Sequence, residues 1–362
     1  MKNLFKLFAF LFTAIVVFSS CSDDNDNELY PSELTKGAYI LNYGGYSQNT
    51  SSITKYDYET QTLTAFYYQL QNGGNKIGSA PQYIYEYEDR LYLMNNNPDQ
   101  VLVVDPLFVA QDTITTDIIK PRYCVGNGDY LYISCWGGDV WTDASVSYLV
   151  KYNVATKKVE KKISMPGGPE GLAIANGKLY AALGYAKKIA VMDLNSEAIS
   201  YIETEAVSSY FVKDKSGNLY VTLISSYSNP STQTGLGYIN TSTNTLTVYP
   251  LDNVSTSYSS ILSFSKDYSK LYVVAAAYDA SWNLVGGVQI FNTSTKTFET
   301  TPLVSGITGI NGVSVNPVDG DVYVFVSKGS TTNGNMMIYS AGGEYESTLT
   351  VGASPAMAIF LD

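Results

Sequence analysis

Residues 169–199 read PEGLAIANGKLYAALGYAKKIAVMDLNSEAI, and this stretch holds every part of a unit that recurs along the chain. An alternating run opens at Pro169, a second run carries Tyr180 in the setting LYAA, and a third ends at Asp193 before a polar turn. The same tyrosine setting appears as AYIL at Tyr39, LYLM at Tyr92, LYIS at Tyr132, LYVT at Tyr220, LYVV at Tyr272 and VYVF at Tyr323. Successive tyrosines are 53, 40, 48, 40, 52 and 51 residues apart, the period of a four-stranded propeller blade. Alternation with period two marks strands, and a single sheet of this kind cannot bury both its faces. Seven such sheets stacked radially can. The chain therefore reads as all-β, a seven-bladed β-propeller with four-stranded antiparallel blades.

Eleven residues before six of the tyrosines lies an expected inner-strand start: Pro81, Pro121, Pro169, Ser209, Ile261 and Gly312. Tyr39 has no such segment before it. The missing piece stands at the other end, where Pro355 opens PAMAIF, so the C-terminal strand is expected to complete the blade of Tyr39 and close the ring. Each third strand ends on a matched turn residue: Asp57, Asp105, Asn153, Asp193, Asn240, Asn292 or Ser340. Asp and Asn suit this place because their short side chains accept hydrogen bonds from the backbone two residues on. The propeller domain is thus expected over residues 36–362.

The first twenty residues resemble a secretory signal, with Lys2 and Lys6 ahead of an apolar run from Leu7 to Phe18. Phe18-Ser19-Ser20-Cys21 is similar to a bacterial lipobox, with Phe18 where Leu is usual. That resemblance makes Cys21 the lipidated first residue of the mature chain, and residues 21–35 an acidic linker. Ser22-Asp23-Asp24-Asn25-Asp26 is either a surface-export tag or an ordinary solvated spacer.

Removing Lys2 and Lys6 leaves 20 of the 22 basic residues against 33 acidic ones, a net charge of −13. Nucleic acid needs clustered cations, so it is not an expected partner, and membrane contact is expected through the lipid anchor only. The chain has no histidine, which removes the usual general base and metal ligand. Glu170 is the only acid at the expected inner-strand starts, and no G-x-S-x-G or phosphate loop is present. No catalytic residue, metal or cofactor is assigned. Cys124 and Cys135 lie on adjacent expected strands, either as a disulfide or as two small buried residues.

Binding is better supported than catalysis. Loops joining second and third strands lie on one face of a propeller, and here they carry Trp136 and Trp141, Tyr278 and Trp282, Tyr43 and Tyr46, Tyr185, and Tyr227. Large aromatics on several loops of one face suit a broad amphipathic ligand, whereas any single ring can instead lid its own blade. The tyrosine-to-turn interval is 13 residues in the second and fourth blades but 21, 20 and 20 in the third, fifth and sixth. Insertion is therefore concentrated where loops carry function. The expected mouth residues are Gln82, Arg122, Glu170, Tyr210, Leu262, Val313 and Ala356. Arg122, with Lys187 and Lys188 nearby, either meets an anionic group or pairs with Glu170.

The lipobox at Cys21, the acidic tag, YVTN-like repeats such as GNLYVT and the aromatic face loops together resemble the BtuG-type lipoproteins of Bacteroidetes. The resemblance implies cobalamin as a bound ligand, a TonB-dependent outer-membrane transporter as partner, and a lipid-anchored place at the cell surface. Trp136, Trp141, Trp282, Tyr278, Tyr185, Tyr227, Tyr43, Arg122 and Lys187 are then the expected ligand-binding residues. A glycan-binding propeller of a polysaccharide-uptake system and a protein-binding adhesive propeller remain open alternatives.

Overall fold

The computed structural model describes residues 36–361 except residues 253 and 255–260. The signal segment, Cys21 and the acidic linker lie outside the described residues. Seven antiparallel sheets form the ring, each ordered from an innermost to an outermost strand. The second blade is typical: Ser79–Tyr87, Arg90–Asn97, Asp99–Val104 and Ala110–Ile114. In the sixth blade the outer edge is split, and Thr297–Phe298 and Val304–Thr308 both pair with Leu284–Asn292.

The ring closes as the sequence implies. Pro355–Leu361 pairs with Gly37–Asn42 from Gly37 opposite Leu361 to Asn42 opposite Pro355. It also packs against Ser79–Tyr87 and Ile310–Val315, the inner strands of the blades on either side. Residues 36–361 thus supply all seven blades without a strand from elsewhere.

All seven repeat tyrosines sit on second strands and are at most 4% exposed. A second strand has paired neighbours at both edges and another blade against each face, which explains its continuous burial. Outer strands such as Lys158–Ser164 are instead mostly exposed, with Ile163 alone buried. Two of the hydroxyls reach into the next blade: Tyr180 Oη donates to Asn244 Oδ1 at 2.7 Å, and Tyr220 Oη accepts from Lys296. The matched turns work as expected. Asp57 Oδ1 accepts from the Glu59 and Thr60 amides, and Asn240 and Asn292 repeat this pattern.

One feature departs from the strict period. In six blades the inner strand slips register at its start, between Pro81 and Tyr83, Pro121 and Cys124, Pro169 and Leu172, Ser208 and Phe211, Ile310 and Gly312, and Pro355 and Met357. A β-bulge inserts a residue and re-aims its side chain. Counting from the second strand, Gln82, Arg122, Glu170, Ser209, Asn311 and Ala356 occupy equivalent bulge positions. Val313 and Leu262, expected at the mouth, instead pack in the cores between blades. Tyr210 leaves the mouth layer and joins Tyr83 and Tyr123. Centroid separations are 4.8 Å for Tyr83–Tyr123, 5.8 Å for Tyr123–Tyr210 and 6.2 Å for Tyr83–Tyr210. These rings come from the second, third and fifth blades, so their contact spans the axis and plugs the channel.

Cys124 and Cys135 are both free and buried in one core. Cys135 faces Pro121 and Cys124 lies beside Ile133, so the two thiols are out of register.

Candidate ligand-binding face

The upper face carries the loops between second and third strands and the connections between blades. Its aromatic side chains gather in two groups.

The first group is built on the third and fourth blades over a buried polar floor. Arg122 Nε donates to Glu170 Oε2 at 2.9 Å, and Arg122 Nη1 donates to Gln82 Oε1. The bulges supply all three side chains, which explains how groups 40 and 48 residues apart in sequence converge. Trp136 lies over the guanidinium, 4.2 Å from its carbon to the ring centroid. Trp141 and Tyr185 meet Trp136 edge-on at 6.2 and 5.7 Å. Glycines allow these approaches. Gly137 has φ +75°, and a Cβ there would sit 2.3 Å from the Val146 carbonyl oxygen; at Gly168 it would meet Tyr185 at 2.7 Å. Lys120 stacks over Trp141 at 4.3 Å and pairs with Asp139 at 2.6 Å.

Burial pushes the Glu170 carboxyl up from its ordinary range, against the pull of Arg122 and of the Trp136 side chain. Burial is the largest single influence on Arg122 and works against its charge, but the opposing influences, led by Glu170, together hold the guanidinium above its usual value. The pair is therefore a desolvated unit whose partners satisfy each other. Of the two roles open to Arg122, pairing with Glu170 is the one the geometry adopts.

The second group surrounds an open cavity of about 560 Å³ between the first, sixth and seventh blades. Tyr43, Tyr46, Tyr278 and Trp282 wall it, Asn311 lies at its base, and Lys328 is the one charged side chain among the described lining residues. Trp282 is 74% exposed and tilted against Tyr278 at 6.1 Å. It holds φ at +61°, a backbone region a bulky residue rarely occupies. Asp279 fixes that turn by accepting from the Ser281 and Asn283 amides, both at 2.8 Å. The backbone amide of Asn283 is the main cause of an Asp279 carboxyl held below its usual range.

The expected site residues thus divide. Trp136, Trp141, Tyr185 and Arg122 form one group, and Tyr43, Tyr278 and Trp282 form the other. Tyr227, 95% exposed, belongs to neither group. Lys187 is also apart, donating to the Pro230 carbonyl at 3.3 Å beside a separate hollow. Lys188 stacks on Tyr201 at 4.0 Å. Sequence reading passed over Lys328 and Asn311. Lys328 sits in a loop without an aromatic, and Asn311 reaches the mouth only through its bulge.

The face has aromatic platforms, amide groups and one exposed cation around its cavity. Among the described residues no three His, Cys, Asp or Glu side chains gather to hold a metal. In solved structures the fold resembles a quinonprotein alcohol dehydrogenase-like protein from Bacteroides thetaiotaomicron (16% identity, 90% of this chain, 78% of that one, TM-score 0.67). It also resembles a periplasmic gluconolactonase from Pseudomonas aeruginosa (15%, 90%, 99%, 0.63). A functionally unknown protein from Desulfotomaculum acetoxidans is similar as well (11%, 90%, 98%, 0.63). At these identities the likeness is one of fold. No curated protein matches in sequence. The family model for DUF5074, a domain of unknown function, matches residues 36–361, and the chain belongs to that family.

Proposed function

We propose that this protein captures a corrinoid, cobalamin in the first instance, on its upper face and hands it to a TonB-dependent outer-membrane transporter. In this reading lipidated Cys21 tethers it at the cell surface. The observation that carries the proposal is the open cavity of about 560 Å³ walled by Tyr43, Tyr46, Tyr278 and Trp282. Its size lies within the roughly 300–1,000 Å³ of small-molecule sites. A corrin is a broad, partly apolar disc rimmed with amides. Rigid aromatic walls fit the disc, and Asn283 and Asn311 fit its amides. The exposed Trp141 extends the platform past the mouth. Catalysis is not part of the proposal, because the buried Arg122–Glu170 pair is saturated and the described lining residues of the cavity include no histidine or carboxylate.

Isothermal titration of residues 36–362 with cyanocobalamin and a panel of oligosaccharides tests it. Saturable binding of cyanocobalamin is expected; binding of a glycan alone would instead favour a role in polysaccharide uptake. Trp282→Ala and Trp141→Ala are each expected to weaken cyanocobalamin about tenfold or more, because exposed aromatics at a ligand interface are typical hot spots. Their melting temperatures should hardly move. Trp136→Ala differs: it also uncovers the Arg122–Glu170 pair, so stability falls with affinity.

Lys328 gives the reading a sharper test. Cobalamin carries a phosphodiester in its nucleotide loop, and cobinamide does not. Lys328→Met is expected to weaken cobalamin roughly fivefold to tenfold through loss of a charge-assisted contact, and to leave cobinamide unchanged. Equal losses for both ligands would remove Lys328 from the phosphate.

A further inference from the structure

The ring has a second mouth. The tyrosine plug closes the channel from above, and beneath it a cavity of about 410 Å³ opens on the lower face. It is formed by the trailing halves of the inner strands of the fifth, sixth, seventh and first blades. Tyr210, Leu262 and Met357 line it together with Phe264, Tyr268 and Phe360. Lys213 and Lys266 are the charged side chains among its described lining residues, and no acid accompanies them. In a chain with 33 acidic residues this is a local reversal of sign. Lys213 Nζ donates to the Ile174 carbonyl at 3.2 Å and Lys266 Nζ to the Val318 carbonyl. An ammonium has three donors, so one backbone contact leaves capacity for an anion.

Tyr268 supplies an independent signal. It occupies a hairpin turn between the first and second strands of its blade, with φ +68°. At the corresponding hairpins of four other blades a glycine is left-handed, Gly128, Gly177, Gly217 and Gly320, and in the second blade the small-to-medium polar Glu88 and Asp89 are. The sixth blade keeps a bulky ring where glycine is the unstrained choice. That ring stacks on Phe264 at 4.7 Å and 26°, with Lys215 Nζ at 4.7 Å from its centroid. The strained turn therefore holds an aromatic wall of the cavity.

We propose that the lower mouth is a second binding site, for a small soluble amphipathic anion: an apolar or aromatic body in the cavity, and a carboxylate, sulfonate or phosphate head at either Lys213 or Lys266. The plug of Tyr83, Tyr123 and Tyr210 makes it independent of the upper face, and it stands whether or not that face binds a corrinoid.

Titration with 8-anilinonaphthalene-1-sulfonate, followed by fluorescence in the Trp282→Ala background to silence the upper cavity, tests this. One saturable site per chain is expected. Tyr268→Gly should weaken it about fivefold or more while the melting temperature holds or rises, since glycine relieves the turn. Lys213→Glu with Lys266→Glu should weaken it about tenfold or more. The absence of a saturable site, or one that tolerates all three changes, would overturn the proposal.

Discussion

A chain lacking Ala353–Asp362 is expected to lose most of its stability and its cooperative thermal transition. The deletion removes the innermost strand of the first blade, including the buried Ala356, Met357, Ala358 and Leu361. It also strips the pairing partner from Gly37–Asn42, whose six residues are all buried, and leaves them as an open edge. Two large apolar side chains alone account for about 1.5–3 kcal/mol each. The lost strand pairing and the contacts with both flanking blades add to that. Against a total of about 5–15 kcal/mol for a typical domain, the ring has no margin for such a loss. Circular dichroism melts of the parent and the deletion check it; matching midpoints would mean that the terminal strand does not hold the ring closed.

Breaking the Arg122–Glu170 pair is expected to have the second largest effect. Arg122→Met leaves a buried carboxylate beside Gln82 and Trp136 without its cation, at a cost of about 3–5 kcal/mol near neutral pH. The sign of its pH dependence follows from the raised Glu170 carboxyl. Without Arg122 the folded-state value climbs further above the unfolded one, so folding takes up a proton. The deficit of the variant is therefore smallest below about pH 4, where the carboxyl is protonated in both states. It grows as pH rises toward the folded-state value. Changing both residues, Arg122→Met with Glu170→Leu, should be less harmful than either change alone, because no buried charge is left unpaired. Urea unfolding of the four proteins at acid and neutral pH checks both statements; additive losses would show that the two side chains do not act as a pair.

The sequence disclosed the blades because one tyrosine per blade is buried for the same reason seven times, and a repeated cause leaves a readable period. Asp57, Asn240 and Asn292 were legible for a similar reason, since an acceptor at a fixed place in a turn acts locally. The closure by Pro355–Leu361 followed from counting strands. Bulges are different. A bulge adds a residue to one strand without changing composition, so Val313 and Leu262 were assigned to the mouth while Ser209 and Asn311 hold equivalent bulge positions. The choice between a ligand anion and Glu170 for Arg122 was likewise closed to sequence, because it depends on two bulges in different blades. The plug was hidden too: Tyr83 and Tyr123 each lie nine residues before a repeat tyrosine but Tyr210 lies ten before Tyr220, and the three rings meet only across the axis. Tyr268 did leave a trace, as a bulky residue where four other blades use glycine, but the trace has meaning only once the hairpins are aligned.

The most direct test of the ligand face is a crystal structure of residues 36–362 grown with cyanocobalamin. The account predicts the corrin on the upper face, against Tyr278 and Trp282 with Lys328 near the phosphate, and Arg122 still bound to Glu170. A corrin seated in the lower mouth or on the outer strands, with the upper cavity empty, would contradict it.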